Sequence, residues 1–303
     1  MSDFTFIVNP KAGKGSPTKI LGTLESILRS KQLSHEIFVT ERAGHATELA
    51  VSAPSPVVVA VGGDGTVNEV ANGLLSTTGK TLGIIPTGSG NDLIKSVGIP
   101  HNLRAAVEVL LQQSVRLIDV GIVACSENDS PDERTRPRYF VNGVGAGFDA
   151  AVAARTREIR HLSGTLLYVA AVFQTLGKYS SPEYSVVIDG TEWRSQNLLM
   201  AIGNGRCAGG GFYLTPNAVI DDGLLDVCLV AKASVARILT LMPSVMRGKH
   251  GKAKEVKFLR GKVITIRSEC PFYVHADGEI VGRGVRSVSV AVGKNRLSVI
   301  TGS

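Results

Sequence analysis

Apolar and polar positions follow two different rhythms along this chain. Over roughly the first 120 residues, short apolar runs alternate with amphipathic stretches. Residues 4–8, 35–39, 57–61, 82–85 and 116–120 read as strands, with β-branched residues dense at 57–61. Between them Ile20, Leu24, Ile27 and Leu28 mark one face of a helix, and helical spacing returns over 46–51, 67–75 and 103–112. Such alternation predicts a parallel sheet covered by helices, with ligands at the loops that follow the carboxyl ends of its strands. After Val123 the pattern changes. Residues 126–138 are polar and charged with two prolines, a long exposed loop. Short strands then recur at 139–141, 184–188, 197–202, 225–229, 263–266, 272–275, 287–292 and 297–300, broken by helices at 164–176 and 235–246. These predict a mostly antiparallel β-sandwich or barrel-like second domain.

Composition adds limits. A chain of 303 residues exceeds one typical domain, and 44% hydrophobic residues suffice for two cores. Cys125, Cys207, Cys228 and Cys270 lie far apart with no CxxC, which suggests neither zinc nor a disulfide framework and points to a reducing compartment. Met1-Ser2-Asp3-Phe4 starts no signal peptide, and the longest uncharged run, 162–177, is too short to span a membrane. A cytoplasmic protein is expected. The net charge of +7 is uneven: residues 247–262 hold seven Lys or Arg against Glu255 alone. That run reads either as a solvated loop or edge strand, or as a surface for anionic membrane. Nucleic acid is disfavoured, because Phe258 is the only aromatic there for base stacking.

Chemistry concentrates where glycine meets acid or amide after a strand. Gly62-Gly63-Asp64-Gly65-Thr66 ends the apolar run 57–61 and opens the helical pattern from Val67. Glycines there let main-chain N–H groups close on an anion, and the orphan N–H groups and dipole of a helix N-terminus favour phosphate, so the turn marks a nucleotide site. Three further clusters repeat the theme: Asn9-Pro10-Lys11-Ala12-Gly13-Lys14-Gly15, Pro86-Thr87-Gly88-Ser89-Gly90-Asn91-Asp92, and Asn142-Gly143-Val144-Gly145-Ala146-Gly147-Phe148-Asp149. Any one of them could be a tight turn. Together they suggest glycine-rich turns converging on one cleft. Asp277-Gly278-Glu279, between two strand-like runs, is a natural hairpin turn. His275 beside it reads as packed rather than catalytic, and no histidine spacing supports a metal.

These motifs in this order, with Ile220-Asp221-Asp222-Gly223-Leu224-Leu225-Asp226, resemble the diacylglycerol kinase catalytic family over essentially the whole chain. That family includes bacterial soluble lipid kinases and the sphingosine and ceramide kinases, and NAD kinases share the diglycine motif. The resemblance implies an α/β ATP-binding domain at 1–122, completed by a returning C-terminal strand at about 290–303, and a β-rich lipid-substrate domain at 123–289. It implies ATP phosphates on Gly62, Gly63, Asp64, Gly65, Thr66, Val67 and Asn68, with nucleotide contacts from Asn9, Thr40 and Ser89. A structural Mg²⁺ would lie on the Asp222 carboxylate and the carbonyls of Val219 and Leu224. Transfer of the γ-phosphoryl group to a lipid alcohol, foremost diacylglycerol, needs a base: Glu279 first, Asp64 as its rival. Asp64 would otherwise organise catalytic Mg²⁺ with Asp92 and Asp119. An NAD kinase and a non-catalytic nucleotide- or lipid-binding regulator are the alternatives. Arg155, Arg157, Arg160 and His161 extend a basic approach to 162–176 that suits peripheral contact with anionic headgroups, and a homodimer is compatible with the resemblance.

Overall fold

Phe4–Val8 (β1) is buried at every position, the mark of a strand covered on both faces. The computed structural model describes residues 2–14, 16–127, 137–156, 159, 164–176, 179 and 181–302. Two compact units divide the chain, Met1–Ile118 with Asn295–Ser303, and Asp119–Lys294.

In the first unit β1 is followed by α1 (Ser16–Ser30), β2 (His35–Val39), α2 (His45–Ser52), β3 (Val57–Gly62), α3 (Asp64–Leu74), β4 (Thr81–Pro86), α4 (Ile94–Val97) and α5 (Leu103–Gln112). Strands β1 to β4 pair in parallel, in the order β2-β1-β3-β4. Ser298 and Val299, near the end of the last strand of the chain, add a further parallel strand beside Thr81 and Leu82 of β4. Phe6, Ile7, Val58, Val59, Ala60, Leu82 and Ile84 fill the core from the sheet; Leu24, Leu28, Val70 and Leu110 cover it from the helices. Helix α3 begins at Asp64, three residues before the apolar spacing that announces it. Gly63, in extended conformation, is its N-cap, so Asp64, Gly65 and Thr66 form the first turn.

The second unit is built from antiparallel pairs. Strand β5 (Val115–Ser126) runs into it from the first unit, then β6 (Arg138–Phe140), β7 (Gly143–Gly147), α6 (Phe148–Thr156), α7 (Gly164–Leu176), β8 (Glu183–Ile188), β9 (Thr191–Gly203), β10 (Leu225–Ala231), α8 (Val235–Val245), β11 (Val256–Gly261), β12 (Val263–Ala276) and β13 (Glu279–Ile300). The long strands β9 and β12 each pair with β8 in their first or second register and with β7 in the other, so β8, β9, β7 and β12 close on themselves. Tyr184, Val186, Met200, Ile202, Val227, Ile264, Ile266 and Val274 fill the interior.

Two departures from the sequence expectation have physical causes. Residues 142–149, expected as a glycine turn, form β7 and the first turn of α6. Glycine at alternate positions of β7 leaves one face bare: the Asp149 carboxylate and the His275 ring stand where a Cβ of Gly145 would be. The separate runs 263–266 and 272–275 are one strand, because register shifts between Arg267 and Phe272 absorb the polar interruption. The basic run at 247–262 contains β11, which lies at the end of the strand order beside β10, so the edge-strand reading holds over 256–261. The greater part of the polar loop at 126–138, and Arg157, Arg160, His161 and residues 162–163 of the basic approach, lie outside the described residues. Among the described residues no helix is long and apolar enough to cross a membrane. None of the four cysteines is in a disulfide.

The end of α2 gives a direct test of a fold contact. Lys80 donates from Nζ to the carbonyls of Ala50 at 3.2 Å, Val51 at 3.1 Å and Ala53 at 2.7 Å. Partial burial holds its pKa below the usual lysine range. Lys80→Met should lower the unfolding free energy by about 1–2 kcal/mol in a urea melt at neutral pH. An unchanged midpoint would mean that water replaces the ammonium at no cost.

Candidate active site

The registers of the first unit align the loops that carry its chemistry. Val8 pairs with Val39 and Val61, and Gly62 with Pro86. Thr40, Asn9, Gly62 and Thr87 therefore follow one another along the carboxyl edge of the sheet. Thr40 N donates to Val8 O at 2.8 Å, Asn9 N to Val61 O at 3.0 Å, and Thr87 N to Gly62 O at 2.8 Å. Asn9 is fixed from both sides, its Nδ2 donating to Thr66 Oγ1 at 3.0 Å and its Oδ1 accepting from Lys11 N at 3.0 Å.

Asp64, at the start of α3, accepts the Asp92 N–H on Oδ1 at 2.6 Å, which ties the diglycine turn to the 86–92 loop. Asn91 braces that loop with the left-handed φ of 48°, accepting from Gly88 N at 3.1 Å and donating to Gly88 O at 2.8 Å. Lys95 Nζ lies 3.0 Å from Asp92 Oδ1 and 3.3 Å from Gly90 O. The two loops touch backbone to backbone, since a Cβ on Gly63 would lie 3.1 Å from Gly88 Cα. Among the described residues the buried Thr87 Oγ1 has no hydrogen-bond partner. A helix N-terminus, a bare glycine backbone, two carboxylates and an unpartnered hydroxyl fit a polyphosphate with a hydrated divalent cation. Val67 and Asn68 are buried in α3, and Ser89 is exposed at the tip of the 86–92 loop.

In the second unit the expected residues form two groups. Around the 219–226 turn, Asp222 Oδ1 accepts from Leu224 N at 3.1 Å, and Asp119 Oδ2 from Gly223 N at 2.6 Å. Arg260 pairs with Asp222 and, from Nε, with Asp226 Oδ2 at 3.2 Å. Burial pushes the Asp226 carboxyl above its usual range, with Arg260 opposing the rise and Asp222 adding to it. The Asp222 carboxylate and the carbonyls of its own turn are hard oxygen donors, but Arg260 already holds Asp222 and Asp226, and among the described residues no cluster of three or more acidic, histidine or cysteine side chains could hold a metal ion. Asp119 shares this group in the second unit, whereas Asp64 and Asp92 are joined in the first.

The other group surrounds the β12–β13 turn. Glu279 Oε2 accepts from Arg138 Nη2 at 2.8 Å. His275 Nε2 lies 2.9 Å from Asp149 Oδ2, both side chains buried. Asp277 accepts three main-chain N–H groups, from Val141, Asn142 and Gly143. Sequence reasoning missed Arg138 and Arg260, whose partners lie 141 and 38 residues away, and it took Asp277 for an ordinary turn residue. The buried thiols of Cys125 and Cys228 are pushed up to about 12, so neither is a nucleophile at neutral pH.

Residues 3–123 match the diacylglycerol kinase catalytic domain, and residues 142–301 match the YegS C-terminal NAD kinase beta sandwich-like domain. A diacylglycerol kinase of Mycobacterium tuberculosis is 31% identical over 281 residues, covering 91% of this chain and 88% of the relative. The chain belongs to the diacylglycerol kinase family. It is an ATP-dependent lipid kinase, a phosphotransferase with an alcohol acceptor. The crystal structure of a Bacillus anthracis diacylglycerol kinase shares the fold, with a TM-score of 0.72 at 23% identity over 99% of the kinase and 97% of that chain. An Archaeoglobus fulgidus NAD kinase solved with ATP shares it more distantly, with a TM-score of 0.53 at 15% identity over 98% of the kinase and 93% of that chain.

The loop contact at Gly63 leads to a prediction for the kinase. The φ of Gly63 is −99°, which alanine can adopt, so only the approach to Gly88 opposes a side chain. Gly63→Ala should raise the KM for ATP roughly tenfold while the melting temperature stays near that of the wild type. An unchanged KM would show that the two loops separate freely.

Proposed function

We propose that this kinase transfers the γ-phosphoryl group of ATP to the hydroxyl of diacylglycerol in a Mg²⁺-dependent reaction, with Glu279 as proton acceptor. Supporting the choice of lipid is the name diacylglycerol kinase carried by the relatives from M. tuberculosis and B. anthracis. The observation that carries the assignment of the base is the setting of Glu279: a carboxylate at a tight turn, oriented by Arg138 through one oxygen. A lipid hydroxyl is a poor nucleophile near neutral pH, so a carboxylate must take its proton as the new bond forms. The hydroxyl oxygen bonds to the γ-phosphorus, its proton passes to Glu279 Oε1, and the bond from phosphorus to the bridging oxygen breaks to release ADP. In the first unit Asn9, Thr40, Gly62 to Asn68 and Ser89 hold the nucleotide. The bond from Asp64 Oδ1 to Asp92 N favours an organising role for Asp64 over that of base.

Asp64 and Asp92 would hold Mg²⁺ at the phosphates, and Asp222 with the carbonyls of Val219 and Leu224 would hold a second, structural ion. When bound, Mg²⁺ supplies positive charge that offsets the phosphate oxygens.

The test is transfer of label from radioactive ATP to lipid alcohols in mixed micelles: diacylglycerol, monoacylglycerol, a sphingoid base and a prenol, with NAD as a soluble acceptor. Diacylglycerol should be labelled, chelation by EDTA should stop the reaction and Mg²⁺ should restore it. Glu279→Ala should cut the rate by about 10²-fold or more. A labelled lipid with Glu279→Ala near wild-type rate would move the base to Asp64, and label on NAD alone would replace the lipid reading.

We also place the kinase at an anionic membrane surface through its basic run. Arg237 pairs with Glu255 at 2.9 Å, neutralising the one acid of that run, while Arg247, Lys249, Lys252, Lys254 and Lys262 are exposed. Lys257 stacks over Trp193, 3.1 Å from the ring centroid. Lysine near such a surface contributes about 1 kcal/mol each. Lys249→Glu/Lys252→Glu/Lys254→Glu should weaken sedimentation with phosphatidylglycerol vesicles at least about tenfold and leave the small binding to phosphatidylcholine vesicles unchanged. Equal binding by wild type and variant would remove this surface from the membrane reading.

A further inference from the structure

The ladder between β7 and β12 pairs Val274 with Ala146, His275 with Gly145 and Ala276 with Val144. Past Ala276 the chain turns, and Asp277 continues the contact by other means. Its N–H donates to Gly143 O at 2.9 Å. Its carboxylate then reaches the next three donors of the same segment: Oδ2 accepts from Val141 N at 2.9 Å, and Oδ1 accepts from Asn142 N at 3.0 Å and Gly143 N at 2.8 Å. Val141 and Asn142 lie between β6 and β7 and Gly143 opens β7, and all three bonds are charge-assisted and buried or partly buried. Asp277 and Gly278 take left-handed φ angles of 47° and 81°, which close a two-residue turn and place Glu279 opposite Ala276.

We infer that Asp277 is a positioning residue for Glu279, an inference that rests on Glu279 as the proton acceptor. The segment that Asp277 grips begins three residues after Arg138, which holds the Glu279 carboxylate. One stretch of chain therefore fixes Glu279 twice: through its backbone by way of Asp277, and through its side chain by way of Arg138. Both oxygens of Asp277 are committed to main-chain donors, so it acts through Glu279 and not on substrate. Asparagine at this position turns an amide N–H₂ toward at least one of the three donors, and the turn must shift to relieve the contact.

The test is a double-mutant cycle of Asp277→Asn and Glu279→Gln, with kcat and both KM values measured on ATP and diacylglycerol micelles. A misplacement of about an ångström costs on the order of 10²-fold, so Asp277→Asn should lower kcat about 30-fold or more with the ATP KM within about twofold. In the Glu279→Gln background the same change should cost less than about threefold. An equal loss in both backgrounds, or a kcat near wild type for Asp277→Asn, overturns the inference. A Glu279→Gln enzyme as active as wild type instead removes the reading of Glu279 itself, and that single variant reports it separately. If circular dichroism shows Asp277→Asn unfolded, Gly278→Ala replaces it: its Cβ meets nothing within 4 Å, but its φ of 81° strains the turn while the Asp277 carboxylate stays. Its kcat should fall several-fold, again only while Glu279 is present, and a loss independent of Glu279 overturns the inference.

Discussion

Main-chain N–H groups that leave a strand or open a helix must find acceptors once buried, and in this protein carboxylates supply them at loop after loop. Asp64 takes the N–H of Asp92, Asp119 that of Gly223, Glu69 that of Ala46, and Asp277 takes three in a row. Nearer the surface, Asp189 accepts from Lys262 and Val263 at the hairpin that starts β12, where the bonds are exposed. Each bond is local in geometry but distant in sequence, so it fixes one loop against another. Removal of such a carboxylate leaves buried donors unsatisfied, which costs more than the bond contributes when made.

This use of acids separates residues that look alike in the motifs. Asp64, Asp222 and Asp277 each stand next to glycine, and each accepts a main-chain N–H. They differ in what else surrounds them. Asp64 sits at a helix N-terminus and is tied to the 86–92 loop through Asp92 N, a setting for phosphate and its cation. Asp222 shares Arg260 with Asp226. Asp277 is buried with its oxygens occupied, whereas Glu279, two residues on, is held through one oxygen by an arginine on the partly exposed side of the turn. The division of labour follows from exposure and partners.

Glycine contributes by leaving room. The backbones of Gly63 and Gly88 meet because neither carries a Cβ, and the bare face of β7 at Gly145 admits the buried pair of Asp149 and His275. A side chain at Gly145 would displace the Asp149 carboxylate, and one at Gly63 would press on the backbone of the 86–92 loop. The glycine-rich motifs are thus packing devices as much as flexible ones.

The sequence by itself determined the alternation of strands and helices in the first unit, the antiparallel character of the second, and the identity of the residues at the carboxyl edge of the parallel sheet. These were legible because hydrophobic period and glycine placement are local, and β1, β2 and α5 end where the period ends. Helix α3 was legible only from Val67, since its first turn is made of polar residues and glycine. Strand β7 was invisible as a strand, because Gly143, Gly145 and Gly147 carry no side chain whose alternation could be read. Tertiary structure alone decided which acid faces which donor. Arg138 lies 141 residues before Glu279, Asp277 lies 134 after Gly143, and Asp119 lies 104 before Gly223. No local pattern encodes those pairings, because a carboxylate's partner is set by how the strands register and pack, and not by the residues beside it.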